Sequence, residues 1–174
     1  MGKKNNELFF SKIRETAIVP TKKEEDAGYN IYADIGEPIV IHNGETKLIP
    51  TGIACAMTDD FYLQVEERSS IGSKGIKVSA GIIDSGYRGE IKIALTNTTD
   101  NAVIVVKNSH DFRTTVLNHL YETNDSWSAL YTEKAIAQLI VHRVYKMNVH
   151  EIAYEKLQKI PSTRGTGGFG STGK

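Results

Sequence analysis

The chain is expected to be all-β. Three observations predict this: short runs in which apolar and polar residues alternate, turns rich in Gly, Ser, Asp and Asn at intervals of roughly eight to twelve residues, and an Asn43-Gly44 pair set between two apolar runs. Pro38-Ile39-Val40-Ile41 and Thr46-Lys47-Leu48-Ile49-Pro50 flank that pair and are expected to form a hairpin. Phe61-Tyr62-Leu63-Gln64-Val65 and Glu90-Ile91-Lys92-Ile93-Ala94-Leu95 alternate as half-buried strands do, and residues 102–107 and 135–144 read the same way. The spacing is that of a sandwich or barrel rather than a helical bundle.

Two segments break the pattern. Residues 108–132 are polar, carry Trp127 and several other aromatics, and are expected to be an inserted excursion, helical in part around residues 115–120. The insertion reads either as a surface loop or as a place where a protein partner binds. Residues 161–174 are nearly all Gly, Ser, Thr and charge, and cannot build core. The expected organisation is therefore a β body over residues 1–160 and a Gly-rich arm over 161–174.

Composition bounds the function. The 174 residues are enough for one domain with a sizeable core. Lys plus Arg and Asp plus Glu are both 21, so the formal net charge is zero. A neutral chain lacks the broad basic field of a nucleic-acid or anionic-membrane binder, and any polyanion it handles should be small and gripped locally. Cys55 is the single cysteine, which excludes an intrachain disulfide and a Cys-based zinc site. It lies in the apolar run Ile53-Ala54-Cys55-Ala56-Met57 and reads as a small buried hydrophobe. The five histidines show no HxH or HxxxH spacing, which argues against histidine ligation of a metal. The first residues hold no apolar stretch long enough for a signal peptide or membrane helix. Asn6 stands where a myristoylation signal wants Ser or Thr. A cytoplasmic protein is expected.

Three segments carry chemistry. In the tail, residues 165–170 match GxGxxG and residues 168–174 match GxxxxGK, but no helix follows to hold a phosphate, so neither dinucleotide nor P-loop readings survive. A Gly-rich run still offers backbone N–H groups to an anion. Ser171 and Thr172 add hydroxyls, Arg164 a bidentate fork, and Phe169 a ring able to stack on a base. The tail reads either as plain disorder or as a clamp for phosphate and base. Residues 80–90 place Asp84 and Tyr87 at the tip of an expected hairpin, which is either an ordinary turn or a site. Residues 68–75, from Arg68 through Ser69, Ser70 and Lys74, form another donor-rich loop.

Taken together, these segments resemble the trimeric dUTPase family over nearly the whole chain, with its five motifs in order. The first is Ala27-Gly28-Tyr29-Asn30-Ile31-Tyr32-Ala33, the second residues 68–75 and the third residues 80–90. The fourth is Ile136-Ala137-Gln138-Leu139-Ile140 and the fifth is the tail. The resemblance implies a distorted jelly-roll β fold and a homotrimer in which three subunits build each active site. It implies hydrolysis of dUTP to dUMP and diphosphate by water attack on the α-phosphate, which lowers dUTP and supplies dUMP for dTMP synthesis. Asp84 would activate the water, with Arg68 and Ser69 beside it in the catalytic set. Arg68, Ser69 and Ser70 would bind the α- and β-phosphates, and Gln138 would contact phosphate. Gly81, Ile83 and their neighbours would read the uracil edge, and Tyr87 would pack beneath the sugar and exclude a ribose. Arg164, Ser171 and Thr172 would hold the terminal phosphate, Gly170 would belong to the same substrate-binding set, and Phe169 would cap the uracil of a neighbouring subunit's site. Mg2+ would ride on the phosphates and water, with no direct protein ligand and Asn30 in its outer shell.

The chain departs from the family at three points. Asn30 replaces an Asp, Lys134-Ala135 replaces an Asp-Arg pair, and Glu67 replaces the proline before Arg68. These changes mark a diverged branch, and some phage members resemble it in carrying an extra segment between the third and fourth motifs. Two other readings stay in view: a catalytically weak relative that regulates or binds protein, and a dCTP deaminase. The deaminase needs a Glu near Ala94-Leu95, where this chain has none.

Overall fold

A computed structural model describes residues 6–119 and 126–167. Within them, unit one (residues up to 144) is built from twelve strands. These are β1 (Leu8–Lys12), β2 (Gly28–Ile31), β3 (Ile39–Ile41), β4 (Thr46–Pro50), β5 (Ile53–Met57), β6 (Phe61–Glu66), β7 (Ile76–Ser79), β8 (Ile82–Ile83), β9 (Lys92–Asn97), β10 (Ala102–Val106), β11 (Trp127–Tyr131) and β12 (Ala137–Arg143). Two helices accompany them, the single turn α1 (Ser69–Gly72) and α2 (Ser109–His119). The strands make four small sheets, ordered β1-β5, β11-β10-β3, β2-β12-β6-β8 and β4-β9-β7. The all-β expectation holds, and the arrangement is jelly-roll-like.

Strand patterning follows burial. Ile31, Ile41, Ile49, Ile53, Leu63, Ile93, Leu95 and Leu139 are wholly buried, each contributing roughly 1.5–3 kcal/mol by leaving water. β12 buries Ala137 and Leu139 on alternate positions, whereas β9 buries Ile93, Ala94 and Leu95 in succession. β10 is buried along its full length, so the run Ala102-Val103-Ile104-Val105-Val106 is continuous rather than alternating. This corrects its expected half-buried character.

Three other expectations are revised. The Asn43-Gly44 turn exists, with Gly44 at φ +73°, but its flanking strands do not share a ladder. β3 pairs with β10 and β4 with β9, because the Gly44 amide donates to the Asn97 carbonyl at 2.8 Å and turns the chain from one sheet to another. Residues 80–90 do lie between two antiparallel strands as expected, since β7 pairs with β9, Ser79 opposite Ala94, and within them β8 also pairs with β6, Ile83 opposite Leu63. The insertion is shorter than 108–132. Its last stretch, β11, pairs parallel with β10 and belongs to the core sheet, burying Leu130. Helix α2 begins earlier than expected, since the Asn108 side-chain oxygen accepts the amides of His110 and Asp111 as a cap. Leu120, which the helical expectation included, lies outside the described residues.

Residues 145–174 form the second compact unit. Its described part holds one short helix, α3 (Tyr154–Leu157), and a turn in which Ser162 Oγ accepts the amides of Arg164 and Gly165. Among the described residues no helix is long and apolar enough to cross a membrane.

Candidate active site

The first cluster forms where β2, β12 and the end of β6 lie side by side. Gln138 stands opposite Asn30 on one flank and Glu66 on the other. Its amide donates to the Glu67 carbonyl at 2.8 Å, and Arg68 Nη1 reaches the Ala135 carbonyl at 3.3 Å. Asp26, Ala27, Gly28, Asn30, Arg68, Ser69 and Gln138 line a cavity of about 270 Å3. A Cβ on Gly28 would sit 2.7 Å from Ile140 Cδ1 and 2.9 Å from Gln138 Oε1, so both side-chain ends would have to shift. Glu67, the residue in place of the family's proline, accepts the Val78 amide at 2.9 Å and ties this loop to β7. Ser70 follows on α1 and is exposed.

The second cluster is the loop after β7. Ala80 has φ +55°, a costly conformation for a residue with a Cβ. Next to it the Gly81 carbonyl accepts the Val65 amide at 2.7 Å. A Cβ on Gly81 would lie 2.7 Å from the Val65 carbonyl oxygen. Backbone cannot swing aside as a side chain can, so Gly81→Ala is expected to cost about 1–3 kcal/mol, read as a lowered denaturant midpoint. Buried Ile83 anchors β8, and Asp84 follows it into solvent. The Tyr87 amide donates to the Asp84 carbonyl at 3.0 Å. The Tyr87 hydroxyl donates to the Glu90 carbonyl at 3.0 Å, and Arg88 clasps the carbonyls of Ser85 and Tyr87.

One further network escaped the sequence reading. Arg14 donates through Nε to Asp34 and through Nη2 to Glu90, each at 2.6 Å. The Gly52 amide also donates to Glu90, at 2.8 Å. Burial pushes the Glu90 carboxyl up, but the hydrogen bonds from Arg14 and Gly52 outweigh it and hold the pKa below the ordinary value. No local signal announces this pairing, whose ends are 76 residues apart.

The structure thus gathers Asn30, Arg68, Ser69 and Gln138 around one cavity. Gly81, Ile83, Asp84 and Tyr87 form a separate loop that does not line it. Arg164 belongs to the second unit, its Nε bonded to the Gly167 carbonyl at 2.8 Å. Phe169, Gly170, Ser171 and Thr172 lie outside the described residues. Among the described residues no three His, Cys, Asp or Glu side chains converge to hold a metal. The cavity's donors are the Asp26 carboxylate, the Asn30 and Gln138 amides and the Ser69 hydroxyl, a set that suits Mg2+ bound mainly to phosphate and water.

The dUTPase family model matches residues 14–110. A deoxyuridine 5'-triphosphate nucleotidohydrolase of Clostridioides difficile is 36% identical over 170 residues, covering 95% of this chain and 97% of the relative. One from Leptospira interrogans is 31% identical, covering 95% and 98%. Among solved structures, the Staphylococcus bacteriophage 80alpha dUTPase with dUPNHPP superposes with a TM-score of 0.72 at 23% identity, covering 98% of this chain and all of that one. The native EIAV dUTPase gives 0.60 at 22%, covering 85% and 98%. At those identities the superpositions speak for the fold alone. The family match and the length of the sequence relatives decide the rest: this chain belongs to the dUTPase family.

Proposed function

We propose that the chain is a dUTP pyrophosphatase that cleaves dUTP to dUMP and diphosphate. The observation that carries this is the shared cavity of Asn30, Arg68, Ser69 and Gln138, found in a member of the dUTPase family whose third motif keeps Asp84 and Tyr87 on one loop. Water attacks the α-phosphorus in line. Its proton passes to the Asp84 carboxylate, the bond from the α-phosphorus to the bridging oxygen breaks, and diphosphate leaves. Arg68 and Ser69 hold the α- and β-phosphates with Gln138 alongside, so catalysis rests on positioning and charge stabilisation. Ser70 adds a hydroxyl at the loop's edge. Backbone groups around Gly81 and Ile83 pair with the uracil edge and reject cytosine, whose donors and acceptors are reversed. Tyr87 fills the space a ribose hydroxyl would need.

A homotrimer completes the site. One copy supplies the Asp84 loop, a second the phosphate cavity, and a third the arm from Arg164 through Phe169, Gly170, Ser171 and Thr172. Two features support this: the loop and cavity are separate in one chain, and Phe9, Leu48 and Ile82, large apolar residues of unit one, are each more than half exposed. Mg2+ bound with the triphosphate would supply charge neutralisation for the leaving diphosphate, and Asn30 would be the residue nearest its outer shell. Asn30→Asp restores a charge at that position and is expected to lower the Mg2+ concentration for half-maximal rate severalfold. An unchanged magnesium titration rules out this role for Asn30.

The test of the function is purified protein with Mg2+ and each dNTP, followed by diphosphate release. Release from dUTP alone supports it. Ammonia from dCTP would move the assignment to a deaminase, a reading that buried Ala94 and Leu95 do not favour, since neither can shuttle a proton. Binding of dUTP without turnover would favour a regulatory relative.

A further inference from the structure

We propose that Arg14 is a positioning residue that acts through Glu90 to hold Tyr87, and so sets how strictly the site prefers deoxyribose over ribose. The inference rests on the proposed function and brings in Arg14, Asp34 and Gly52, which lie outside the five motifs, with Glu90 the last residue of the third. Glu90 closes the Asp84 loop. Its backbone carbonyl accepts the Tyr87 hydroxyl, and the next residue, Ile91, is locked by donating its amide to the Ile53 carbonyl at 2.8 Å. The Glu90 side chain points the other way, into the bonds from Arg14 and Gly52.

Arg14 is itself fixed. Its Nη2 also reaches the Asp34 carbonyl at 3.2 Å, and Thr16 Oγ1 donates to Asp34 Oδ1 at 2.7 Å. The neighbouring Ile13 amide donates to the Gly52 carbonyl at 2.7 Å, and Asp34 donates its amide to Pro50 at 2.8 Å. Gly52 has φ +66°, and a Cβ there would come 2.5 Å from Asp34 Oδ2. The network is thus closed around a glycine that has no room for a side chain. The carboxylates of Asp34 and Glu90 are largely sheltered, with side-chain exposures of 11% and 17%, so loss of the guanidinium leaves two poorly solvated anions without their shared partner. Relaxing them moves Glu90, and the Tyr87 hydroxyl loses its anchor. Lysine cannot replace arginine here, because one ammonium cannot present a planar fork to two carboxylates.

The experiment compares kcat and KM for dUTP and UTP in the parent, Arg14→Met, Arg14→Lys and Glu90→Ala proteins, with thermal unfolding alongside. In Arg14→Met the ratio of kcat/KM for dUTP over UTP is expected to fall roughly tenfold, the scale of one lost discriminating contact, with Arg14→Lys intermediate. Should Arg14→Met not fold, Glu90→Ala, which removes the oxygen shared by Arg14 and Gly52 and leaves the backbone carbonyl in place, carries the same expectation. A purely structural network would lower stability and slow both nucleotides in step, and an unchanged ratio overturns the inference while the dUTPase reading stands. A parent protein that releases no diphosphate from dUTP overturns both.

Discussion

Replacing Asp84 with alanine is expected to lower kcat for dUTP by roughly a thousandfold, the scale of a lost general base, with stability and assembly unchanged. The separation is clean because of where Asp84 sits. It is exposed at the end of β8, and its backbone carbonyl rather than its carboxylate holds the turn by accepting the Tyr87 amide. Removing the carboxylate therefore takes away a proton acceptor without removing a packing group. Asp84→Asn sharpens the result, since it keeps the shape and loses only the basicity. Steady-state diphosphate release measures the effect, and an Asp84→Ala protein as fast as the parent would exclude the assigned role.

The second large effect is expected from ending the chain after Thr163. Without Arg164 and the Gly-rich residues beyond it, kcat/KM for dUTP should drop about a hundredfold or more, as when a closing segment and its charge-stabilising donors are lost. The β body should melt as before, because residues up to Val144 form a compact unit with their own core. Arg164 donates through Nε to the Gly167 carbonyl, a bond it is expected to exchange for a phosphate when substrate binds. Phe169→Ala separates the arm's two tasks: it should raise KM more than it lowers kcat, since stacking on the base binds ground and transition states alike. Full activity in the truncated protein would remove the arm from the mechanism.

Much of the β body was legible because its signals are local. The alternation in β6 and β12 and the turn at Asn43-Gly44 depend on residues within a few positions of one another. What could not be read was which strands meet. The chemistry of Gly44 announces a turn but is silent on whether β3 and β4 then pair or part, and the deciding bond comes from Asn97, far along the chain. The site shows the same division. Arg68, Asn30 and Gln138 were visible as motif residues, and the cavity brings them together. Arg14, Asp34 and Glu90 resemble any scattered surface charges until folding closes the distance. The misjudged end of the insertion has a similar cause: Trp127-Ser128-Ala129-Leu130-Tyr131 is too short and too mixed to declare itself a core strand, and becomes one only beside β10.

That parallel pairing limits what can be cut away. β11 screens the outer rim of β10, the most deeply sunk ribbon in the protein, from anything outside. A chain trimmed of all of 108–132 would bare five successive main-chain units of an Ala-Val-Ile-Val-Val segment, an invitation to stick to its own kind. The extra piece is therefore partly upholstery and partly wall: the exposed face of α2 can be remodelled, while its buried Thr115 and the strip that follows must stay.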